Sequence, residues 1–264
     1  MDFNAFFRSE KLFLIAGPCV IESEKSALDH AEKLKLITTK LDIPFIYKSS
    51  YTKANRTAYD SFTGVGLERG LGILAKVKKE FDLPVLSDVH EVAQAQVAGE
   101  VLDVIQIPAF LARQSELLTT AGLTGKVVNI KKGQMLTAEE MHHAAEKVRV
   151  VGNTQILLTE RGTSFGYDLI VDYRNIAIMK QAGYPIVFDG SHSVQKKIGN
   201  KTTGGQRQFI PLLTAAAIAA GVDGLFLECH NDPSSAKSDS ATQYPLSDLS
   251  DFLKRMLDIY AASR

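Results

Sequence analysis

Residues 84–107 read PVLSDVHEVAQAQVAGEVLDVIQI, and this stretch decides the fold. An apolar run at 84–86 leads through a helically spaced stretch at 91–101 to a second apolar run at 104–107. Both runs are near-continuous rather than alternating, the pattern of strands covered on both faces of a parallel sheet. Parallel neighbours need a crossover, and a helix is the usual one. The same unit recurs in both directions. Apolar runs stand at 12–16, 44–47, 127–130, 155–159, 185–188 and 224–227, and helical spacing at 24–41, 66–81, 138–150, 173–182 and 208–220. In 24–41, for example, Ala27, Ala31, Leu34 and Leu41 share one side while Glu, Lys and Asp take the rest. Eight apolar runs with helical spacing between most of them predict a (β/α)8 TIM barrel, a single domain over residues 1–264 with 1–11 as a short, loop-like lead-in. A doubly wound open sheet is the competing reading. It wants a Gly-rich first turn, and Gly17-Pro18-Cys19 is not one.

The chain has 264 residues, with 30 Lys+Arg against 30 Asp+Glu, 45% apolar and 23% charged residues. Such a balance argues against a nucleic-acid or anionic-membrane partner, which requires a basic excess. No apolar run approaches the roughly 18 residues of a membrane helix. Two cysteines, Cys19 and Cys229, make no disulfide framework, and with no signal-peptide pattern the expected location is cytoplasmic.

In a barrel of this kind chemistry gathers at the C-terminal ends of the strands. The residues there are Cys19; Lys48 and Lys53; Asp88 and His90; Gln106; Lys131 and Lys132; Glu160 and Arg161; Asp189 and His192; Glu228, Cys229 and His230. Lysines and an arginine converging on one small mouth repel one another unless an anion compensates them, so an anionic substrate is expected. A second set, Cys19, His192, Glu228 and Asp239, offers thiolate, imidazole and carboxylate to a divalent transition ion. Spacing alone leaves two readings open, since there is no C-x-x-C or H-x-x-x-H. Cys19 also reads as a small buried hydrophobe, His192 as a loop histidine and Glu228 as a cap. His142-His143 reads as a solvated face, and Met135, Met141, Met179 and Met256 as core filler.

Ala16-Gly17-Pro18-Cys19, Lys48-Ser49-Ser50, Lys53-Ala54-Asn55-Arg56 and the 106–114 segment QIPAFLARQ resemble the 3-deoxy-D-manno-octulosonate 8-phosphate synthases, also called 2-dehydro-3-deoxyphosphooctonate aldolases. So do Asn129-Ile130-Lys131-Lys132-Gly133-Gln134, Thr159-Glu160-Arg161-Gly162, Phe165-Gly166-Tyr167, residues 189–195 and residues 228–246. The likeness is collinear from about residue 12 to residue 253. Lys-Ala-Asn-Arg separates this family from the sister heptulosonate 7-phosphate synthases, which carry Lys-Pro-Arg-Thr there and use erythrose 4-phosphate.

The resemblance implies a homotetrameric transferase. It would condense phosphoenolpyruvate with D-arabinose 5-phosphate and release phosphate, on the route to the inner sugar of lipopolysaccharide. It implies Lys131 and Arg161 on the phosphoenolpyruvate phosphate, Lys53 and Lys48 on its carboxylate, and Gln106 nearby. Asn55, Arg56 and Thr57 would meet arabinose 5-phosphate, with Arg113 reaching that phosphate in a neighbouring subunit. Cys19, where the metal-independent branch has Asn, implies the metal-dependent branch with His192, Glu228 and Asp239 as the other ligands of an Fe, Zn, Mn or similar ion. Lys53, His192, Asp239 and Cys19 are then the residues closest to the chemistry. The chain departs from the commoner Ser-Ser after Arg56, carrying Thr57-Ala58. A non-catalytic barrel that binds a sugar phosphate would share the cationic mouth but not turn over.

Overall fold

The computed structural model describes residues 3–8, 10–54, 61–166, 168–196 and 204–264. The barrel strands are β1 (Phe13–Gly17), β2 (Phe45–Lys48), β3 (Val85–Asp88), β4 (Val104–Ile107), β5 (Val127–Lys131), β6 (Ile156–Glu160), β7 (Ile186–Asp189) and β8 (Gly224–His230). Each pairs in parallel with the next, and β8 closes the barrel on β1 through Phe13↔Gly224 to Gly17↔Glu228. The helices are α1 (Phe3–Arg8), α2 (Glu24–Lys40), α3 (Leu67–Phe81), α4 (Val92–Gly99), α5 (Ser115–Leu123), α6 (Glu140–Arg149), α7 (Arg174–Lys180), α8 (Ile210–Ala219) and α9 (Leu246–Ala262).

Local chemistry accounts for much of this. The Ser23 side chain accepts from the Ser26 amide at the start of α2, Glu24 lies in its first turn and Lys40 in its last; both charges complement the helix dipole. Helix α5, SELLTTAGL, escapes the periodicity reading because threonines and glycine dilute its apolar face, although Leu117, Leu118 and Ala121 are buried.

Strand alternation builds two apolar layers. Leu14, Ala16, Ile105, Val128, Ile130 and Leu158 face the helices. Phe13, Ile15, Ile46, Leu86, Val104, Val127, Leu157, Val187 and Phe226 fill the barrel interior at its N-terminal end. Burying one such side chain stabilises by about 1.5–3 kcal/mol. The lead-in is not a loop there. Phe3, Phe6 and Phe7 of α1 pack on this interior cluster, with the Phe7 and Phe13 rings 5.1 Å apart.

One step of two further along each strand, the inward position changes character. Gly17, Lys48, Asp88, Gln106, Asn129, Thr159, Asp189 and Glu228 form the next layer, above Ile15, Ile46, Leu86, Val104, Val127, Leu157, Val187 and Phe226. Gly17 is small for a steric reason, since a Cβ there would lie 2.0 Å from the Lys48 carbonyl oxygen. Backbone cannot yield as a side chain can. Gly17→Ala is therefore expected to cost about 3 kcal/mol or more, the upper range of overpacking, read as a lowered urea midpoint; an unchanged midpoint would overturn the argument.

Past β6, Thr163–Phe165 and Asp168–Ile170 form a small antiparallel hairpin. Gln195–Lys196 pairs antiparallel with Gly204–Gly205 in a second small two-stranded sheet. Met135 is not core filler but 87% exposed, and His142 is not merely solvated, since its Nε2 lies 3.1 Å from the Ile178 carbonyl oxygen.

Candidate active site

The polar layer is wired across the strands. Thr159 Oγ1 donates to Asn129 Oδ1 (2.6 Å), Asn129 Nδ2 to Gln106 Oε1 (2.9 Å) and Gln106 Nε2 to Asp88 Oδ1 (2.7 Å). Ser50 Oγ donates to the other oxygen, Asp88 Oδ2, at 2.8 Å. The first three links join neighbouring strands, Ser50 follows the end of β2, and every member is buried, so the network is satisfied and rigid. Gln106, expected beside the substrate, is thus committed on both ends of its amide to Asp88 and Asn129.

The cations of the mouth are paired rather than bare. Lys48 Nζ donates to Glu228 Oε1 and to the Cys19 carbonyl, both at 2.9 Å. Lys53 Nζ lies 3.6 Å from Asp88 Oδ2 and 3.7 Å from Glu228 Oε1. Lys131 Nζ donates to Asp189 Oδ2 and sits 3.3 Å from the centroid of the Phe226 ring. The sequence reading of uncompensated positive charge is corrected here, because Asp88, Asp189, Glu228 and Asp239 balance Lys48, Lys53, Lys131 and Arg161. Arg161 is the exception in geometry. Its Nη2 donates to Gln195 Oε1 at 2.7 Å, and among the described residues its buried Nη1 has no partner and the side chain forms no ion pair.

Burial works against every one of these charges, and the partners decide the outcome. For Asp88, burial would raise the carboxyl, yet Lys53 and Lys48 hold it far below the usual range. For Lys131 burial prevails and lowers the ammonium despite Asp189. For Arg161 burial likewise lowers the guanidinium. Lys53 ends well above its ordinary value, since Cys19, Asp88 and Glu228 outweigh its burial.

Strand alternation also sorts the two lysines that the sequence places together. Lys131 continues the inward set of Val127 and Asn129, whereas Lys132 continues the outward set of Val128 and Ile130. Lys132 is fully buried outside the barrel, not in its mouth.

The second set converges from both ends of the chain. Donor atoms of Cys19, Glu228 and Asp239 all lie within 4.8 Å of one another. His192 Nε2 stands 3.7 Å from Glu228 Oε1 and 3.6 Å from Asp239 Oδ2. His192 Nδ1 lies 2.7 Å from Asp189 Oδ2; a proton on Nδ1 leaves the Nε2 lone pair facing the carboxylates. Asp189, which sequence reading gave no role, therefore serves Lys131 and His192 at once. Asp239 adopts a left-handed backbone (φ 47°), and its carbonyl accepts from the amides of Thr242 and Gln243. Gln243 also links the segments: its Oε1 accepts from the Cys19 amide at 3.3 Å and its Nε2 donates to the Ser238 carbonyl at 2.9 Å. Burial and the carboxylates of Glu228 and Asp239 push the Cys19 thiol well up. Glu228 Oε2 is buried with no hydrogen-bond donor among the described residues. An orphaned carboxylate oxygen beside a thiol, an imidazole nitrogen and a second carboxylate suits a divalent cation.

A model of the DAHP synthetase I family matches residues 8–262. The chain is 52% identical over 255 residues to a 2-dehydro-3-deoxyphosphooctonate aldolase of Trichlorobacter lovleyi, covering 96% of this chain and 94% of the relative. It is 53% identical over 257 residues to that of Koribacter versatilis (96% and 92%) and 48% identical over 264 residues to 2-dehydro-3-deoxyphosphooctonate aldolase 1 of Arabidopsis thaliana (97% and 91%). The chain belongs to the DAHP synthetase I family, among its 2-dehydro-3-deoxyphosphooctonate aldolases.

Of the residues for which this aldolase resemblance implies a role, Cys19, Lys48, Lys53, Gln106, Lys131, Arg161, His192, Glu228 and Asp239 meet at the barrel mouth. Asn55, Arg56 and Thr57 lie outside the described residues. Arg113 does not join the others; its side chain is 78% exposed, with Glu140 Oε1 3.9 Å away. Asn129, Thr159 and Gln243 were missed as site residues, and Asp88 and Asp189 were placed at the strand ends but given no role. The signal for four of them was available, because each stands two positions beyond an interior apolar residue.

Proposed function

We propose that the chain is the synthase that joins phosphoenolpyruvate to D-arabinose 5-phosphate, with water, giving 3-deoxy-D-manno-octulosonate 8-phosphate and phosphate. The observation that carries this reading is Arg161, whose buried Nη1 has no partner among the described residues and stands at the mouth beside the strand that bears Lys131. A guanidinium fork and an ammonium there suit a phosphoryl group.

In this reading Lys131 and Arg161 hold the phosphate of phosphoenolpyruvate, and Lys53 and Lys48 meet its carboxylate. Asn55, Arg56 and Thr57 hold arabinose 5-phosphate. Carbon 3 of the enol phosphate attacks the aldehyde carbon, positive charge develops at carbon 2, and water captures it. The resulting hemiketal phosphate loses phosphate by C–O cleavage. Asp88, Asp189 and Glu228 bear negative charge close to that developing cation, and fixed charges of this kind act without reorganising. Orientation of two anionic substrates in one mouth lowers the barrier further.

Cys19, His192, Glu228 and Asp239 would hold a divalent transition ion such as Fe, Zn or Mn. Bound there, such an ion supplies Lewis-acid polarisation of the aldehyde or an oriented water. Asp189 fixes the His192 ring, and Gln243 fixes the two chain segments that carry Cys19 and Asp239.

The test is phosphate release with phosphoenolpyruvate and either arabinose 5-phosphate or erythrose 4-phosphate, with and without added metal. Turnover is expected with the pentose phosphate and at least about a hundredfold less with the tetrose, which leaves the site's polar contacts unmet. Turnover with the tetrose alone would favour the sister reaction, and no turnover with either would favour a binding barrel.

The exposed Arg113 fits a role in a neighbour's site within a homotetramer. Mixing inactive Arg113→Ala subunits with inactive Asn55→Ala subunits is then expected to restore part of the activity, because some mixed sites carry both native residues. No recovery after verified subunit exchange would count against shared sites. Among the described residues no helix is long and apolar enough to cross a membrane.

A further inference from the structure

Strands β5 and β6 end in two charged pairs of neighbours, Lys131-Lys132 and Glu160-Arg161. Alternation sends Lys131 inward, as described above, and Lys132 outward. Leu158, two residues before Glu160, also faces the helices, so Glu160 stands on the same outer side. Lys132 Nζ and Glu160 Oε1 lie 3.6 Å apart there, and both side chains are 0% exposed. No substrate in the mouth can touch either group.

The contacts of this pair fall on the backbone that carries Arg161. Glu160 Oε1 accepts from the Arg161 amide (2.9 Å) and the Gly162 amide (2.6 Å). Glu160 Oε2 accepts from Asn175 Nδ2 of α7 at 3.0 Å. Lys132 Nζ sits in a nest of oxygens: the Gly162 carbonyl at 3.2 Å, Thr163 Oγ1 at 3.0 Å, and the Leu136 and Gly133 carbonyls at 3.4 and 3.5 Å. The 161–163 turn is thus gripped from its amides by Glu160 and from its oxygens by Lys132. Gly162 turns it with φ +93°, a conformation that favours glycine.

Stability alone is a poor reason for such a pair. Burying two charges costs several kcal/mol each, and well-packed apolar replacements are often neutral or better. What apolar residues could not supply is the fixed placement of the Arg161 backbone. Among the described residues the guanidinium has only Gln195 Oε1 as a protein anchor, and Nη1 has no partner. Its aim therefore depends on where its backbone is held.

We infer that Lys132 and Glu160 are positioning residues for anion binding, a buried pair outside the barrel that holds Arg161 in register for the phosphate of phosphoenolpyruvate. The inference rests on the reading of Arg161 given above.

The double variant Lys132→Met/Glu160→Gln removes both charges together, so neither is orphaned, and Gln retains an acceptor for the turn. In folded, assembled enzyme its KM for phosphoenolpyruvate is expected to rise about ten- to a hundredfold, as for a binding group displaced by an ångström or less. KM for the pentose phosphate should move less than about threefold. The decisive measurement is the cycle with Arg161→Ala. If the pair acts through Arg161, adding the double substitution to Arg161→Ala should change phosphoenolpyruvate saturation by less than about twofold, because the interaction it tunes is already gone. A folded double variant with wild-type phosphoenolpyruvate KM would overturn the inference alone, as would full additivity with Arg161→Ala. An unchanged KM in Arg161→Ala itself would overturn the substrate reading and the inference with it. Should the double variant not accumulate folded, Thr163→Val removes only one oxygen around Lys132. It is expected to raise the same KM about threefold, the order of one weakened hydrogen bond, and an unchanged value there counts equally against the pair.

Discussion

Stripped of divalent metal, the enzyme is expected to lose about a thousandfold or more in kcat, the equivalent of several kcal/mol of transition-state stabilisation. Adding back Fe(II), Zn(II) or Mn(II) should restore it. The grounds are the meeting of Cys19, Glu228 and Asp239 donor atoms within 4.8 Å, with His192 Nε2 beside both carboxylates and Glu228 Oε2 lacking a donor among the described residues. Cys19→Ala should lose metal and activity together, measured by elemental analysis alongside the assay. The pH dependence has a definite sign. Burial and the carboxylates of Glu228 and Asp239 raise the Cys19 thiol above its ordinary value. Metal binding must then displace a proton, so apparent affinity should weaken by about tenfold for each pH unit lost below the thiol's range. Cys19→Asn is a sharper variant, because an amide can hold a water by hydrogen bonds where a thiolate would hold an ion. It is expected to keep some turnover that chelators no longer affect. Metal-free wild-type enzyme turning over at its normal rate would reduce Cys19 to a small buried hydrophobe.

Arg161→Ala is expected to lower kcat/KM for phosphoenolpyruvate by about 10²–10³, the range seen when a charge-stabilising donor is removed from a desolvated site. The fold should survive, since Arg161 projects from a strand end and among the described residues forms no ion pair whose loss would strand a buried partner. Arg161→Lys should recover only part of the loss, because an ammonium restores the charge but not the two-pronged geometry. Steady-state kinetics with circular dichroism would decide this, and normal phosphoenolpyruvate saturation in folded Arg161→Ala would remove Arg161 from the site.

Eight near-continuous apolar runs with helical spacing between them determine the barrel at the level of sequence. A strand buried on both faces leaves a local trace, and so does an amphipathic helix. Helix α5 left little trace, because Thr119, Thr120 and Gly122 interrupt its apolar face. Helix α1 was read as lead-in because its three phenylalanines have meaning only against Phe13 and the floor of the closed barrel. Cys19, His192, Glu228 and Asp239 were legible as a set through their family motifs, but 220 positions separate Cys19 from Asp239. Only closure of β8 onto β1, with the left-handed turn at Asp239, brings thiol and carboxylate to 3.4 Å. Charge was where sequence misled. Adjacent lysines at 131 and 132 look alike in a string, yet a strand reverses its side chains at every residue, so one faces the mouth and the other a buried oxygen nest. For the same reason the carboxylates that neutralise the mouth come from β3, β7 and β8 and from the loop beyond β8. A sequence displays those acids as scattered residues; the barrel makes them neighbours, because its eight strands all point their step-of-two positions at one axis.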